Sequence, residues 1–275
     1  MTLTQAQIDD FRSVILENYR LHGRDFPWRN TRDAYKILVS EMMLQQTQTL
    51  RVLPKYEEWL KVFPDARTLA DAPLSLVFAL WSGLGYNRRA KYLQEACKAV
   101  CTEYGGAFPT CREELQKLPG IGPYTAGAVS TFAFNNAEVF IETNIRSVFI
   151  FFFFSDTTEK IDDAKIMPLA AQTLEQENPR VWYYALMDYG AELKKRVKNP
   201  SRKSAHYTRQ SKFSGSLRQA RGAIMRQLAK NGSATLLQIA QAERIDLYRL
   251  ETAACALMSE LFVCEKNGVY TVREQ

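Results

Sequence analysis

The chain has 275 residues, 46% of them hydrophobic, enough to bury a full core and, at roughly 150 residues per domain, to form two domains without a metal or disulfide staple. Its 36 lysines and arginines against 30 acids leave a net charge of +6 and a pI near 9.0, a bias too slight to assign a polyanionic partner by itself, so its distribution matters more than its size. The longest apolar run, VFIFFFF at 148–154, is far too short to span a bilayer, so no membrane role is expected and the run reads as a buried core segment.

In chain order, MTLTQAQIDDFRSVILENYR opens as an amphipathic helix, with none of the basic and apolar regions of a signal peptide. From residue 6 to about 196, segments of 3.6-residue periodicity follow one another, broken at Pro64, Pro73, Gly105–Gly106 and Pro119, and strand-type alternation is nearly absent. This predicts an all-helical domain over 1–198. Within it, LVSEMMLQQTQT at 38–49 sets a single carboxylate, Glu41, in an apolar run that turns four residues later into the uncharged amides Gln45, Gln46 and Gln48. An apolar setting raises a carboxyl pKa and favours the protonated form.

Residues 115–134, LQKLPGIGPYTAGAVSTFAF, read as a helix end, a tight turn holding Gly120 and Gly122, and a new helix from Pro123. Glycines let such a turn aim several N–H groups outward, and the helix N-terminus adds partial positive charge, which together make an anion cradle. A corner that uses glycine for steric reasons alone is the other reading of the pattern.

From Lys194 to Arg221 there are ten lysines and arginines and no acid. Lys194, Lys195, Arg202, Lys203, Arg209 and Lys212, with Tyr207 and Phe213 interleaved, read either as a strip that follows phosphates or as a solvated linker face. Residues 199–216, polar with five serines, mark a linker. Beyond it, 217–230, 233–243 and a helix capped by Asp246 precede FVCEKNGVYTV, which alternates around Asn267–Gly268, a strong hairpin signal. Residues 217–275 are therefore expected to form a small winged-helix-like domain, which either reads DNA or packs on the first domain. The five cysteines, none in a CxxC pair, read as reduced core residues of a cytoplasmic protein.

LPGIGPYTAGA resembles the hairpin of the helix-hairpin-helix DNA glycosylases, placed here at about 111–134. The stretch from GRDFPWRNTRDAYKILVSEMMLQQTQ through WSGLGYNRRAKYL is similar, nearly position for position, to the A/G-specific adenine DNA glycosylase (MutY) family. VFIETNIRSVF and ALMDYGAELKK extend the match over roughly 8–196. The resemblance implies two helical subdomains flanking a cleft and a bacterial-type, nucleoid-associated monomer acting on double-stranded DNA with a mismatched or damaged base. The base is flipped out and its N-glycosidic bond hydrolysed, and adenine opposite 8-oxoguanine or guanine is the expected target.

Breaking that bond puts positive charge on the sugar and negative charge on the departing base, so two carboxyl groups with different roles are needed. By the resemblance, Glu41 is the general acid on the base. Glu142 stands where the family has an aspartate that stabilises the cationic sugar, and Asn144 holds it. Tyr124 replaces the lysine of lyase-type relatives and offers no amine for a Schiff base, which implies no strand cleavage. The resemblance also places Arg29 of the PWR motif, the three glutamines, Gly120, Gly122 and an intercalating Tyr86 at the DNA.

Four departures stand out. Glu142 is longer than aspartate by a methylene. Asn87 replaces a second tyrosine. No cysteine lies between Cys111 and Cys255, where the family has four that bind an iron–sulfur cluster, so neither metal nor cofactor is expected. The C-terminal region does not resemble the family's nucleotide-hydrolase-like domain. A glycosylase for thymine, uracil, hypoxanthine or a damaged purine, or a non-catalytic module that binds damaged DNA, are the competing expectations.

Overall fold

The computed structural model describes residues 1–208 and 212–274. In chain order the helices are α1 (Gln5–His22), α2 (Ala34–Leu44), α3 (Thr49–Val62), α4 (Ala66–Ala70), α5 (Leu74–Trp81), α6 (Arg88–Glu103), α7 (Arg112–Leu115), α8 (Pro123–Phe134), α9 (Thr143–Phe153), α10 (Asp163–Thr173), α11 (Pro179–Arg196), α12 (Leu217–Asn231), α13 (Leu236–Glu243) and α14 (Leu247–Ser259). The strands are β1 (Ser233–Thr235), β2 (Val263–Lys266) and β3 (Val269–Val272). Among the described residues the fold is all-helical apart from this one small sheet, and no helix is long and apolar enough to cross a membrane.

The chain divides into two units that interleave in sequence. One comprises Met1–Leu38, Pro109–Lys117 and Ile121–Arg209; the other comprises Val39–Phe108, Leu118–Gly120 and Gln210–Gln275.

In the first unit α1 begins at a capping box, Thr4 accepting from the Gln7 N–H while the Gln7 amide accepts from the Thr4 N–H. It buries Phe11 and Ile15, and the Phe11 ring lies 5.0–5.7 Å from those of Phe149, Phe152, Phe153 and Trp182. The phenylalanine run is only partly core. Val148, Phe149 and Ile150 are buried, but a helix turns consecutive residues through all directions, and Phe151 is left 36% exposed. Asp188 of α11 receives a two-pronged ion pair from Arg29 (2.7 and 2.8 Å) and a second pair from Arg24 (2.6 Å).

The second unit has a tryptophan core in which Trp59 meets Phe63 at 4.9 Å and Trp81 at 5.4 Å between ring centroids. Its C-terminal part is helix, strand, two helices and a hairpin, with antiparallel strand order β1-β3-β2. Lys266 pairs with Val269, and the two loop residues take positive φ, Asn267 at +53° and Gly268 at +76°. That is the turn an Asn-Gly pair favours.

Of the two roles open to this C-terminal part, packing is observed. α12 lies on α5, the Glu274 carboxylate accepts from the N–H groups of Leu74 (2.6 Å) and Ser75 (3.2 Å), and Glu260 joins Arg221 to Arg88. Hydrogen bonding to Arg221, then to Arg88, pulls the Glu260 pKa down to about 2. Cys97 and Cys101 are buried, whereas Cys111, Cys255 and Cys264 are exposed, correcting the all-core expectation.

Candidate functional site

In the second unit, Glu41 sits in the last turns of α2 at 6% exposure, beside fully enclosed Ser40, Met42 and Met43. A helix leaves its final carbonyls without partners, and here a buried arginine takes them. Arg89 donates to the carbonyls of Met42 (2.7 Å), Met43 (3.0 Å) and Gln45 (2.6 Å), and with its other terminal nitrogen to those of Leu84 (3.1 Å) and Gly85 (2.9 Å). Burial lowers its pKa to about 10, which keeps it charged at neutral pH. One side chain thus ties the end of the Glu41 helix to the loop before Tyr86.

The glutamines do not share the Glu41 helix. α2 stops at Leu44, so Gln45 and Gln46 lie in the turn and Gln48 at the N-cap of α3, with Gln46 and Gln48 exposed. Gln46 and Tyr86 both hold left-handed backbone, φ +55° and +49°. For residues other than glycine this strain is of order 1 kcal/mol or more and concentrates at functional positions. The Tyr86 ring is 40% exposed, with the guanidinium carbons of Arg89 and Arg218 at 5.6 and 5.9 Å, and its hydroxyl accepts from Arg218 at 3.0 Å.

The glycine turn is anchored by buried Leu118 and Ile121 and leaves Gly120 and Gly122 on the surface. Gly120 has φ +73°, and a Cβ there would fall 2.3 Å from that of Tyr92. Gly122 caps α8 and Pro123 follows at its first position, a placement natural to both.

In the first unit, Glu142 caps α9. Its Oε1 accepts from the N–H groups of Asn144 (2.6 Å) and Ile145 (2.9 Å), and Oε2 accepts from the Asn144 amide (3.3 Å). Burial holds its pKa above the ordinary carboxylate value, and those N–H groups and the charges of Lys194 and Arg146 offset only part of the rise. The turn lies hard against α11, where a Cβ on Gly190 would come 2.3 Å from the Asn144 carbonyl oxygen. Thr143 next door offers its carbonyl to Ser147 (2.7 Å) and Ser201 (3.2 Å). Tyr124 packs edge-on against Phe140, itself stacked on Tyr183 with centroids 3.9 Å apart.

Three residues expected at the DNA are engaged elsewhere. Arg29, 7% exposed in its side chain, is spent on Asp188. Lys194 turns onto the Asn144 side chain at 2.7 Å. Lys203 bonds the carbonyls of Ser155 (2.5 Å) and Thr157 (2.9 Å), helping to fix a segment that was expected to be a simple linker and that buries Pro200, Ser201 and Ser204. Lys195, Arg202 and Lys212 are exposed, and Arg209 lies outside the described residues.

Arg89 is the residue that sequence reasoning missed. Its signal was available, since it occupies the apolar row of α6 with Leu93, Ala96 and Val100, all buried, and a cation on such a row needs buried acceptors.

Residues 39–173 match the family described as HhH-GPD superfamily base excision DNA repair protein. The adenine DNA glycosylase of Mus musculus is 38% identical over 197 residues, 68% of this chain and 38% of that protein. That of Buchnera aphidicola subsp. Baizongia pistaciae is 38% identical over 186 residues, 66% of this chain and 52% of that one. The chain thus spans about half or less of the length of these two relatives. Among solved structures, that of a thermostable thymine-DNA glycosylase superposes with a TM-score of 0.65 at 29% identity, covering 73% of this chain and 93% of that one.

Proposed function

The chain belongs to the HhH-GPD superfamily of base excision DNA repair proteins, and we propose from that membership that it is a monofunctional DNA glycosylase that hydrolyses the N-glycosidic bond of a flipped adenine mispaired with 8-oxoguanine or guanine. Glu41 donates a proton to the base as the bond to the sugar breaks. The ionised Glu142 carboxylate stabilises the oxocarbenium-like sugar and accepts a proton from the water that adds to it, so the products are free base and an abasic site. Tyr124 forms no Schiff base, so the strand stays intact.

The observation that carries this reading is the state of Glu142. Although a methylene longer than the family's aspartate, it is folded onto the α9 N-terminus, where two N–H groups and the Asn144 amide hold both oxygens. A carboxylate so held is pre-organised to stabilise developing charge. Partners on this reading are double-stranded DNA alone, met by a monomer in a bacterial-type cytoplasm.

An iron–sulfur cluster does not fit the residues present. The segment KKRVKNPSRKSAHYTRQSKF stands in the place of the four cysteines that the resembled family has, and no cysteine occurs between Cys111 and Cys255. We therefore assign no cofactor.

A second reading has its own support in the 29% identity to a thymine-DNA glycosylase over nearly all of that chain. Duplexes with A opposite 8-oxoguanine, A opposite G, T opposite G, U, and hypoxanthine, incubated with stoichiometric protein, decide between them. Adenine release without strand cleavage is expected. Thymine release establishes the second reading, and tight binding with no release of any base leaves a binding module.

A further inference from the structure

We propose that Lys194 is a positioning residue for Glu142, holding the Asn144 amide that holds the carboxylate and placing a positive charge beside that turn; this rests on the role given to Glu142 above. Lys194 lies four residues beyond Gly190 on α11, hence on the same helix face, and Gly190 is where α11 touches the Asn144 backbone. From there its Nζ donates to Asn144 Oδ1 (2.7 Å) and reaches the Thr143 carbonyl (3.4 Å). A chain of hydrogen bonds runs from Lys194 through Asn144 to Glu142 Oε2.

The surroundings leave this task to Lys194. Arg146, one helical turn beyond Glu142, is held bidentately by Asp163 of α10 at 2.7 and 2.6 Å, so its charge is largely met there. Ser147 and Ser201 are neutral and bind the Thr143 carbonyl. The hydrogen bonds of Lys194 go to the Glu142 turn. Burial lowers the Lys194 pKa and raises that of Glu142, while each charge moves the other in the opposite sense, as expected of two partly desolvated groups that support one another's ionised forms.

The test uses the full chain with Lys194→Met and Lys194→Arg, and with Lys194→Gln should the methionine variant fail to fold. The first readout is the titration of the Glu142 carboxyl by carbon-13 NMR, its signal assigned by its loss in Glu142→Gln. The second is the pH profile of single-turnover base release. Removing the cation should raise the Glu142 pKa by about one unit and move the acidic limb of the rate profile to higher pH by the same amount. Arginine should restore both, and duplex affinity should stay within about threefold, as for a group that touches no phosphate.

An unchanged carboxyl titration in Lys194→Met or Lys194→Gln overturns the proposal. So does a drop in affinity with a shallower salt dependence at an unchanged pH profile, the mark of a residue that binds phosphate. If the unmodified chain releases no base from any duplex, the glycosylase reading fails, and the NMR titration still decides the role of Lys194.

Discussion

The two acids are held in contrasting ways. Glu41 is fixed by its own helix: α2 sets the backbone, the residue lies buried there, and a single arginine closes the helix end. Glu142 stands at a helix N-terminus, and its turn is shaped by residues far along the chain, Gly190 by close approach, Lys194 through Asn144 and Ser201 through Thr143. A carboxylate built on a helix interior can be placed by local sequence. One built at a cap takes its position from whatever packs on the cap.

The largest effects should come from the acids themselves. Glu41→Gln and Glu142→Gln should each lower single-turnover base release by about 10²–10⁴-fold with duplex affinity within a few fold. Shortening separates the two environments. Asp is a strong N-cap residue whose shorter side chain naturally reaches the N2 and N3 N–H groups, so Glu142→Asp should retain activity within about tenfold of the parent. Glu41→Asp withdraws a carboxylate from a rigid helix by about 1 Å, a displacement that can cost ~100-fold. Equal losses in the two variants would break the contrast.

Next come the frames. Asp188→Asn leaves Arg29 buried without its charge partner, which should cost about 3–5 kcal/mol of stability in denaturant titration. Burial alone would raise the Asp188 pKa, but Arg29 and Arg24 hold it below the ordinary value. Its contribution is thus present above the unfolded-state pKa of about 3.9 and is lost as pH falls through the lower folded value, so the unmodified chain should lose stability there and Asp188→Asn should lose less. In the other unit, Arg89→Met removes the donor shared by five carbonyls and should cost roughly 3 kcal/mol. Arg89→Lys should recover little of it, since a point charge cannot reproduce the guanidinium fork.

This contrast also explains what could be read in advance. Helical periodicity, the glycine turn and the Asn267–Gly268 hairpin are local signals that appear in the structure close to where they are expected. The helix expected over 233–243, however, starts only at Leu236, because Ser233–Thr235 is taken up as β1 by pairing with the distant β3. The burial of Glu41 was legible as another such local signal. Lys194, Lys203 and Arg29 were not. A lysine in a basic run looks the same whether its ammonium faces water or a carbonyl 48 residues away, as for Lys203 and Ser155. Arg29 in PWR shows nothing of Asp188, 159 positions on. Cations settle where the folded chain presents acceptors, which composition does not record.

The basic segment turns that lesson into the smallest and most discriminating prediction. If its residues acted as one strip, reversing any of them would weaken duplex binding to similar extents. The structure divides them. Lys195, Arg202 and Lys212 are exposed, so reversal to glutamate should weaken binding to all duplex sequences alike by a few fold and, for each phosphate deprived of its cation, flatten the slope of log affinity against log salt by about one. Lys203, whose ammonium satisfies the carbonyls after α9, should behave otherwise. Lys203→Glu sets a carboxylate against those carbonyl oxygens and should appear mainly as lowered thermal stability, with the salt slope unchanged. A Lys203 variant that keeps its melting temperature and flattens the slope would return it to the strip, and with it the view that this segment is a linker tracking phosphates instead of a scaffold under Glu142.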